Sequence, residues 1–436
     1  MRICMIGTGY VGLVSGSCLA DFGNTVRCVD VDAGRIDFLR GGGMPIYEPG
    51  LREMVERNAA GGRLHFTTDI KEAVENSDVI FIAVGTPSGA DGATDLSYVH
   101  KASQEIAQHL DGYKVIVQKS TVPVGTTREV AAILKKHAHK DADFDIVSNP
   151  EFLREGSAVA DFLRPNRVVI GVESDRAREV MKKVYRPLYL IETPIVLTGL
   201  ETAELIKYAS NAYLATKISF INEVAAICER VGANVDDVAK GMGLDGRIGS
   251  KFLHAGIGFG GSCLPKDVSS LLHMSEEKGY DPAIIRAVLD LNATLAGRAL
   301  DKLKAELSSV AGKSIAVLGL SFKPNTDDLR EAPSVKIIRR LAAEKATIRV
   351  FDPVAMERFK ESTGIEVTYC KSAYDAAEGC DALLLVTEWN EFRELDLGRL
   401  AKVMRSPVFV DCRNVYKPER MRESGFRYSS FGRGTL

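Results

Sequence analysis

The sequence predicts an α/β protein in which two doubly wound parallel-sheet domains are joined by a long central helix. Three observations favour this fold class. A short apolar strand at the start of the chain runs into a glycine-rich turn and then into small and apolar residues. From residue 201 a long stretch has helical periodicity without Pro or Gly. After residue 312 strands and helices alternate again, so both sheets are expected to be Rossmann-like.

The composition indicates a globular protein with more than one domain. The chain has 436 residues, of which 45% are hydrophobic and 26% charged, which excludes disordered and fibrous classes. A formal net charge of -2 gives no electrostatic drive towards nucleic acid or an anionic membrane, so neither is expected as a partner. We expect domains at residues 1–200, 201–300 and 301–436.

The cysteines and the apolar runs indicate a soluble cytoplasmic protein with reduced thiols. Eight cysteines are scattered without a C-x-x-C pair, so no metal site and no disulfide framework is expected. The first apolar run is broken at Gly7, too early for a signal-peptide core. No run of 18 apolar residues occurs anywhere in the sequence.

The glycine-rich turn after the first strand, residues 3–6, predicts a dinucleotide site. In this pattern Gly7 allows a tight turn, Gly9 lets backbone N–H groups approach a pyrophosphate, and Gly12 lets the helix pack on the strand. The turn is followed by small and apolar residues suited to a buried helix.

The end of the second strand, residues 25–29, favours NAD as the cofactor. Asp30 stands where an acid accepts hydrogen bonds from the adenosine ribose, and it would repel a 2′-phosphate. Arg35 leaves an alternative open, because a nearby cation could contact that ribose edge or tolerate a phosphate.

Three further strands of the first domain end in polar residues. Strands at residues 79–84 and 115–118 precede Thr86 and Thr121, and a strand at 144–148 precedes the charged segment 149–156. Ligands of an open parallel sheet lie beyond the carboxyl ends of its strands, so Thr86 and Thr121 are expected to line the cofactor cleft, and the charged segment indicates a site more than a surface. Each threonine could instead serve as a turn or helix-capping residue.

The central region predicts a helix of about 45 Å over residues 202–231, at 1.5 Å per residue. A polar stripe lies on one face of an otherwise apolar helix, which favours a cleft-lining role over a solvent-facing one; its members are Glu204, Lys207, Asn211, Ile218 and Asn222. The helix is apolar on more faces than one cleft can cover, for example at Ile206, Tyr213, Leu214 and Phe220. We therefore expect a symmetric homodimer through it.

The last domain repeats the strand and helix order without the glycine fingerprint. Strands are expected at residues 314–318, 347–351, 382–386 and 407–411. Ser321 and Phe322 stand where a dinucleotide turn would continue, so this domain is expected to hold a different ligand. Lys323 after the first of these strands suits a nucleotide diphosphate.

The segment 256–267 predicts a reactive thiol. Four glycines within six residues let the backbone pass close to a ligand and lead to Cys263. Lys266 and a helix starting near Pro265 would favour the nucleophilic thiolate. Asp267 could orient a water molecule or manage protons, whereas the other seven cysteines are expected to be structural.

Seven motifs spread over almost the whole chain resemble the UDP-glucose/GDP-mannose dehydrogenase family. They are GTGYVG at 7–12, VGTP at 84–87, KSTVP at 119–123, NPEFLREG at 149–156, AELIKYASN at 203–211, GGSCLPKD at 260–267 and GLSFK at 319–323. The resemblance implies a four-electron oxidation of a nucleotide sugar's C6 alcohol with two NAD+ in sequence. The segments 218–223 and 247–253 favour UDP-glucose as the substrate, whereas Leu264 after the cysteine matches members that oxidise GDP-mannose. GDP-mannose and UDP-N-acetylmannosamine remain alternatives.

The resemblance also implies a role for individual residues. Cys263 would add to the aldehyde, Lys207 with Asn211 would stabilise the oxyanion, and the hydrolytic water would be positioned by Asp267, Thr121 and Glu151. The implied substrate contacts are Glu151, Phe152, Leu153, Glu155, Lys207, Asn211, Phe252, Leu253, His254, Ala255, Gly256, Gly260, Lys323 and Arg413. The implied cofactor contacts are Gly7, Gly9, Val11, Gly12, Asp30, Arg35, Thr86, Thr121, Glu155, Lys266 and Arg330.

Two rival functions stay open on the sequence alone. A simple two-electron sugar dehydrogenase would leave Cys263 structural, and a sensor that binds NAD or a nucleotide sugar would need no catalytic groups.

Arg413 could equally stabilise a loop or reach across an oligomer interface.

Overall fold

A computed structural model describes residues 1–89 and 91–433. The chain divides into two compact units, Met1–Ser210 and the remainder from Asn211 onwards. Each contains a sheet flanked by helices, and a long helix begins in the first unit and continues into the second, which confirms the predicted fold class. None of the helices in the described ranges combines the length and apolarity that a bilayer-spanning segment needs.

The first unit is built on an eight-stranded sheet in the order β3-β2-β1-β4-β5-β6-β7-β8. The first six strands are parallel and follow the dinucleotide-binding order 3-2-1-4-5-6, whereas β7 pairs antiparallel with β6. The strands are β1 (Arg2–Ile6), β2 (Thr25–Val29), β3 (Leu64–Thr67), β4 (Val79–Ile82), β5 (Tyr113–Gln118), β6 (Asp143–Ser148), β7 (Val168–Val172) and β8 (Ile195–Thr198).

Helices cover both faces of this sheet, as its fully buried strands require. Ile3 and Met5 of β1 face one apolar cluster, whereas Cys4 and Ile6 face another, because successive side chains of a strand point to opposite faces. The helices are α1 (Tyr10–Asp21), α2 (Ala33–Arg40), α3 (Leu51–Ala60), α4 (Ile70–Glu75), α5 (Ser97–Ala107), α6 (Thr126–His137), α7 (Ala158–Leu163) and α8 (Asp175–Val184), and a 3-10 turn follows at Arg186–Ile191.

The long helix α9 (Leu200–Val231) is followed in the second unit by three helices, α10 (Val235–Gly243), α11 (Leu264–Glu277) and α12 (Ala283–Leu307). Ala215 of α9, Val268 of α11 and Val288 of α12 belong to one apolar cluster. Helices α9, α11 and α12 therefore pack together through an apolar core.

The second sheet has six parallel strands in the order β11-β10-β9-β12-β13-β14. The strands are β9 (Ser314–Leu318), β10 (Thr347–Phe351), β11 (Thr368–Tyr369), β12 (Ala382–Leu385), β13 (Val408–Asp411) and β14 (Arg427–Ser430). The helices are α13 (Pro333–Ala343), α14 (Met356–Thr363), α15 (Ala373–Ala377), α16 (Asn390–Arg393), α17 (Leu397–Val403) and α18 (Pro418–Glu423). The strand order repeats that of the first six strands.

The turn after β9 is filled by a carboxylate of the chain itself. Asp352, directly after β10, is 1% exposed and accepts hydrogen bonds from the backbone N–H groups of Leu320 and Ser321. The same oxygen accepts from the Trp389 indole at 3.0 Å. A buried carboxylate with these partners is closed to a ribose, which explains physically why this turn is unsuited to a dinucleotide.

Candidate active site

The glycine turn after β1 has the geometry of a dinucleotide cradle. Gly7 has a φ of +99°, and a Cβ atom on Gly12 would lie 1.9 Å from the Gly7 carbonyl oxygen, so both positions require glycine. A Cβ atom on Gly9 would meet no atom within 4 Å, which leaves space above the turn. No side chain caps α1 at Gly9, so its first N–H groups remain available to a phosphate.

Asp30 lies at the end of β2, next to this turn. Its Oδ2 atom accepts from the Thr8 backbone at 2.8 Å and from the Thr8 hydroxyl at 2.7 Å, with Arg35 Nη1 at 3.5 Å. Burial raises the pKa of Asp30, but these hydrogen bonds and Arg35 outweigh it and hold the pKa below its ordinary value. An ionised acceptor at this strand end fits the adenosine ribose of NAD.

The carboxyl ends of β4 and β5 meet as the sequence predicts. The Thr86 hydroxyl donates to the Thr121 carbonyl oxygen at 3.0 Å, which ties the two following loops together. The segment after β6 is held by Glu48, which accepts from the Gly156 and Ala158 backbone at 2.6 and 2.7 Å. The polar loops at this edge of the sheet are thus fixed by hydrogen bonds.

A buried ion pair lies beyond β6. Lys207 Nζ is 3.0 Å from Glu151 Oε1, and the two side chains are 3% and 6% exposed. The Glu151 Oε2 atom accepts from the Leu153 backbone N–H. Removing such charges from water is costly unless each finds a partner, so this pair indicates a site with a chemical task.

Phe152 forms an apolar wall beside this pair. Its ring centroid lies 3.4 Å from the Arg167 guanidinium carbon and 5.4 Å from Lys207 Nζ. Burial lowers the pKa of Arg167, and the nearby Glu151 opposes that shift. Leu153 packs against the main apolar cluster, and Glu155 is buried.

The polar stripe on α9 is buried, as its apolar surroundings predict. Glu204, Lys207, Asn211 and Asn222 are all under 9% exposed. Glu204 accepts from the Gly125 backbone at 2.7 Å and the Thr127 backbone at 2.8 Å, so it caps the start of α6. One member of the stripe is therefore structural, whereas Lys207 joins the ion pair.

Cys263 in the second unit lies immediately before α11, with Pro265 in the first turn of that helix. All eight cysteines lie in the described ranges and none forms a disulfide; seven are buried and Cys263 alone is half-exposed. Burial raises the pKa of the Cys28 thiol to about 12, whereas Cys263 faces the positive end of a helix dipole. The Ser262 hydroxyl is 3.5 Å from its Sγ atom.

Asp267 links Cys263 to α9 within the second unit. It lies one helical turn after Cys263 and is 1% exposed, and its Oδ2 atom accepts from Asn211 Nδ2 at 2.6 Å. Its Oδ1 atom forms an ion pair with Lys266 Nζ at 2.7 Å. A thiol, a carboxylate, an amide and an ammonium group are thereby assembled around the start of α11.

The glycine loop before Cys263 is clamped by two asparagines. Asn222 Oδ1 accepts from the Gly256 backbone at 2.9 Å, and Asn292 makes two 3.0 Å hydrogen bonds with the backbone of Phe259. A Cβ atom on Gly260 would lie 2.4 Å from the Glu331 carbonyl oxygen, so the backbone passes too close for a side chain. The thiol is thus presented by a rigid loop.

The remaining predicted contacts of this unit lie along the same loop and the second sheet. Phe252 has a φ of +67°, and Leu253 and Ala255 are buried in an apolar cluster while His254 is exposed. Arg330 bonds to Asp328 through Nε and Nη2, and Lys323 Nζ lies 5.2 Å from the Phe322 ring centroid.

Arg413 is engaged by loops of its own unit. Its guanidinium donates to the carbonyl oxygens of Val386, Gly258 and Phe322 at 2.8, 3.2 and 3.0 Å. The loop-stabilising alternative raised by the sequence is therefore realised, and Arg413 as a substrate contact stays a prediction.

The structure brings together two groups of predicted residues. In the first unit Glu151, Phe152 and Lys207 are in contact, and in the second Cys263, Asp267 and Asn211 form another group. Sequence reasoning missed Lys119, which is buried, and Arg167, which is half-buried beside Glu151, because the surroundings of both depend on the fold and have no signature in a single sequence. In the described part of the chain no cluster of three His, Cys, Asp or Glu side chains suits a metal ion.

These features define a class, the NAD-binding oxidoreductases with a second α/β unit. Family models of the UDP-glucose/GDP-mannose dehydrogenase family match as its NAD binding domain (residues 1–189), its central domain (201–294) and its UDP binding domain (316–418). The chain belongs to this family, which confirms both the resemblance and NAD as the cofactor.

Similar proteins of this family match over nearly the whole chain. A UDP-glucose 6-dehydrogenase of Rhizobium meliloti (strain 1021) is 53% identical, covering 99% of this chain and 100% of its own. UDP-glucose 6-dehydrogenase TuaD of Bacillus subtilis (strain 168) is 49% identical, covering 99% and 93%. The solved structure of a UDP-glucose dehydrogenase from Pyrobaculum islandicum has a TM-score of 0.92 at 38% identity, covering 99% and 98%.

Proposed function

We propose that this enzyme oxidises the C6 alcohol of UDP-glucose to a carboxylate, giving UDP-glucuronate, in the cytoplasm. The observation that carries the proposal is Cys263 at the start of α11, one helical turn before Asp267, whose carboxylate accepts a hydrogen bond from the Asn211 amide. Relatives named UDP-glucose 6-dehydrogenase, matched over 93 to 100% of their own length, support UDP-glucose over GDP-mannose and UDP-N-acetylmannosamine.

The chemistry requires a nucleophile because an aldehyde lacks the second oxygen of a carboxylate. Bound NAD+ would supply the hydride acceptor: a first molecule for the hydride lost as the alcohol becomes the aldehyde, and a second for the hydride lost as the thiohemiacetal becomes the thioester, with a proton released in each oxidation. The Cys263 thiolate adds to the aldehyde carbon, and the carbonyl π pair becomes an oxyanion that takes up a proton. Hydrolysis breaks the C–S bond, puts the water oxygen on the carbon and returns the thiolate.

The predicted residues are assigned to individual steps of this sequence. Lys207, held by Glu151, supplies positive charge for the oxyanion, together with the Asn211 amide. Asp267, Glu151 and Thr121 orient the water and take its proton. Phe152, the glycine loop and Lys323 hold the sugar nucleotide, and Asp30 with the glycine turn holds NAD.

Two molecules of NADH are expected for every UDP-glucose consumed, since both oxidations occur before product leaves. The measurement is NADH absorbance with a limiting amount of sugar nucleotide, with UDP-glucuronate quantified by chromatography. A panel of UDP-glucose, GDP-mannose and UDP-N-acetylmannosamine tests the substrate. One NADH with accumulated aldehyde would make the enzyme a two-electron dehydrogenase, and NAD binding without any turnover would favour a sensor.

We also propose that the enzyme is a homodimer through α9. Exposed apolar side chains recur on this helix at Tyr213, Phe220, Ile227 and Val231, whose spacing of seven or four keeps them on one side. A Phe220→Glu variant is expected to halve the mass measured by light scattering, because a buried charge would disrupt the contact. A monomeric parent protein over a hundredfold concentration range would contradict the dimer.

A further inference from the structure

Lys119 is a buried lysine to which the reaction above gives no role. It directly follows β5 and is 4% exposed. Its Nζ atom donates to Asn149 Oδ1 at 3.1 Å and to the Tyr185 hydroxyl at 3.3 Å. The Tyr185 hydroxyl in turn donates to Asn149 Oδ1 at 2.5 Å, so the three polar groups form a closed triangle.

Both of these hydrogen-bond partners are neutral, and the other neighbours are aromatic. Lys119 Nζ lies 6.0 Å from the Phe162 ring centroid and 5.8 Å from that of Tyr185. Burial lowers the pKa of Lys119 to about 8, Glu151 opposes this shift, and Lys207 adds to it. Burying an ammonium group without a hydrogen-bonded carboxylate costs folding free energy, so Lys119 is expected to have a role beyond packing.

The triangle controls the turn that presents Glu151. Asn149 is fully buried and also donates from Nδ2 to the Val169 carbonyl oxygen at 2.7 Å, which ties the end of β6 to β7. Only Pro150 separates Asn149 from Glu151, and the proline ring fixes its own φ. A shift of Asn149 would therefore be passed on to the Glu151 carboxylate and its contact with Lys207.

We propose that Lys119 is a positioning residue for the Glu151–Lys207 ion pair. It fixes the turn that carries Glu151 through Asn149, and its ammonium group adds a second buried positive charge near that carboxylate. This inference rests on the proposed function, in which the ion pair serves the oxyanion and the water. The other charged or titratable groups around this position are Arg167, beside Glu151, and the Tyr185 hydroxyl, which contacts Lys119.

The test is the pH dependence of kcat in a Lys119→Met variant. With one buried cation fewer beside the ion pair, the acidic limb of the profile should move up by about one pH unit. We expect kcat at neutral pH to fall about tenfold and KM for NAD to stay within twofold, because the glycine turn is untouched.

Lys114 provides a matched control on the same strand. It is also 4% exposed, but its Nζ donates to the carbonyl oxygens of Ser77 and Glu75 near the opposite end of β5 and pairs with Asp111. Lys114→Met should lower the free energy of unfolding while leaving the acidic limb in place. A Lys119→Met profile that superimposes on those of the parent and of Lys114→Met would overturn the proposal.

A Tyr185→Phe variant keeps the aromatic ring and the charges of Lys119 and Glu151, but it removes the hydroxyl that contacts both Lys119 and Asn149. It should lower kcat several-fold without moving the acidic limb of the pH profile. If Lys119→Met does not fold, this variant alone tests the positioning role of Lys119. Unchanged kcat in Tyr185→Phe would also overturn the proposal. Failure of the parent enzyme to release two NADH per sugar would reject the proposed function itself, whereas a normal parent with unaffected variants rejects only the role of Lys119.

Discussion

A Cys263→Ser variant is expected to form UDP-glucuronate about a thousandfold more slowly while binding NAD normally. The serine hydroxyl occupies the same place before α11, but an alcohol is hardly ionised at neutral pH, whereas a thiol ordinarily has a pKa of about 8.5. Without the covalent adduct the second oxidation has no starting point. NADH absorbance, chromatography of the sugar product and calorimetric NAD binding measure the three quantities.

Cys228→Ser is the matched control for this substitution. Cys228 lies on α9 in the same unit and is buried with Ile221 and Ala225 in an apolar cluster. The serine should cost about 1 kcal/mol of unfolding free energy and leave the yield of two NADH intact. A Cys263→Ser enzyme that still releases two NADH per sugar at near-parental rate would show that the thiol is structural.

The elements with strong local signals were predictable from the sequence. β1, the glycine turn and β2 lie where the sequence predicts them, because a buried apolar run bounded by glycine has few alternative conformations. The long helix was expected at residues 202–231 and is observed at Leu200–Val231. Strands β3, β7, β8, β11 and β14 were missed, and the antiparallel direction of β7 depends on pairing with β6, which local residues do not encode.

The part of the candidate site around Cys263 was predictable because glycines, a proline and charged residues occur together in that segment of the sequence. Cys263 was found because the glycine loop before it indicates close backbone approach to a ligand. Pro265 after it indicates a helix start, and the structure places α11 there. The triangle of Lys119, Asn149 and Tyr185 joins three separate segments, so only the folded chain shows it. The single-sequence pattern likewise did not distinguish Glu204, which caps α6, from Lys207 one turn later.

A Lys207→Met variant is expected to lose about a thousandfold in kcat and about 3 kcal/mol of unfolding free energy. The activity falls because the oxyanion loses its cation. The stability falls because Glu151, 6% exposed, would remain buried without the ammonium group now 3.0 Å away. Steady-state kinetics and urea unfolding measure the two losses separately.

A double variant separates the two roles of Lys207. Adding Glu151→Gln to Lys207→Met removes the unpaired charge, so the double variant should recover most of the stability without recovering activity. A double variant that regains both would mean that Lys207 serves only to neutralise Glu151, and the oxyanion would then need another source of positive charge.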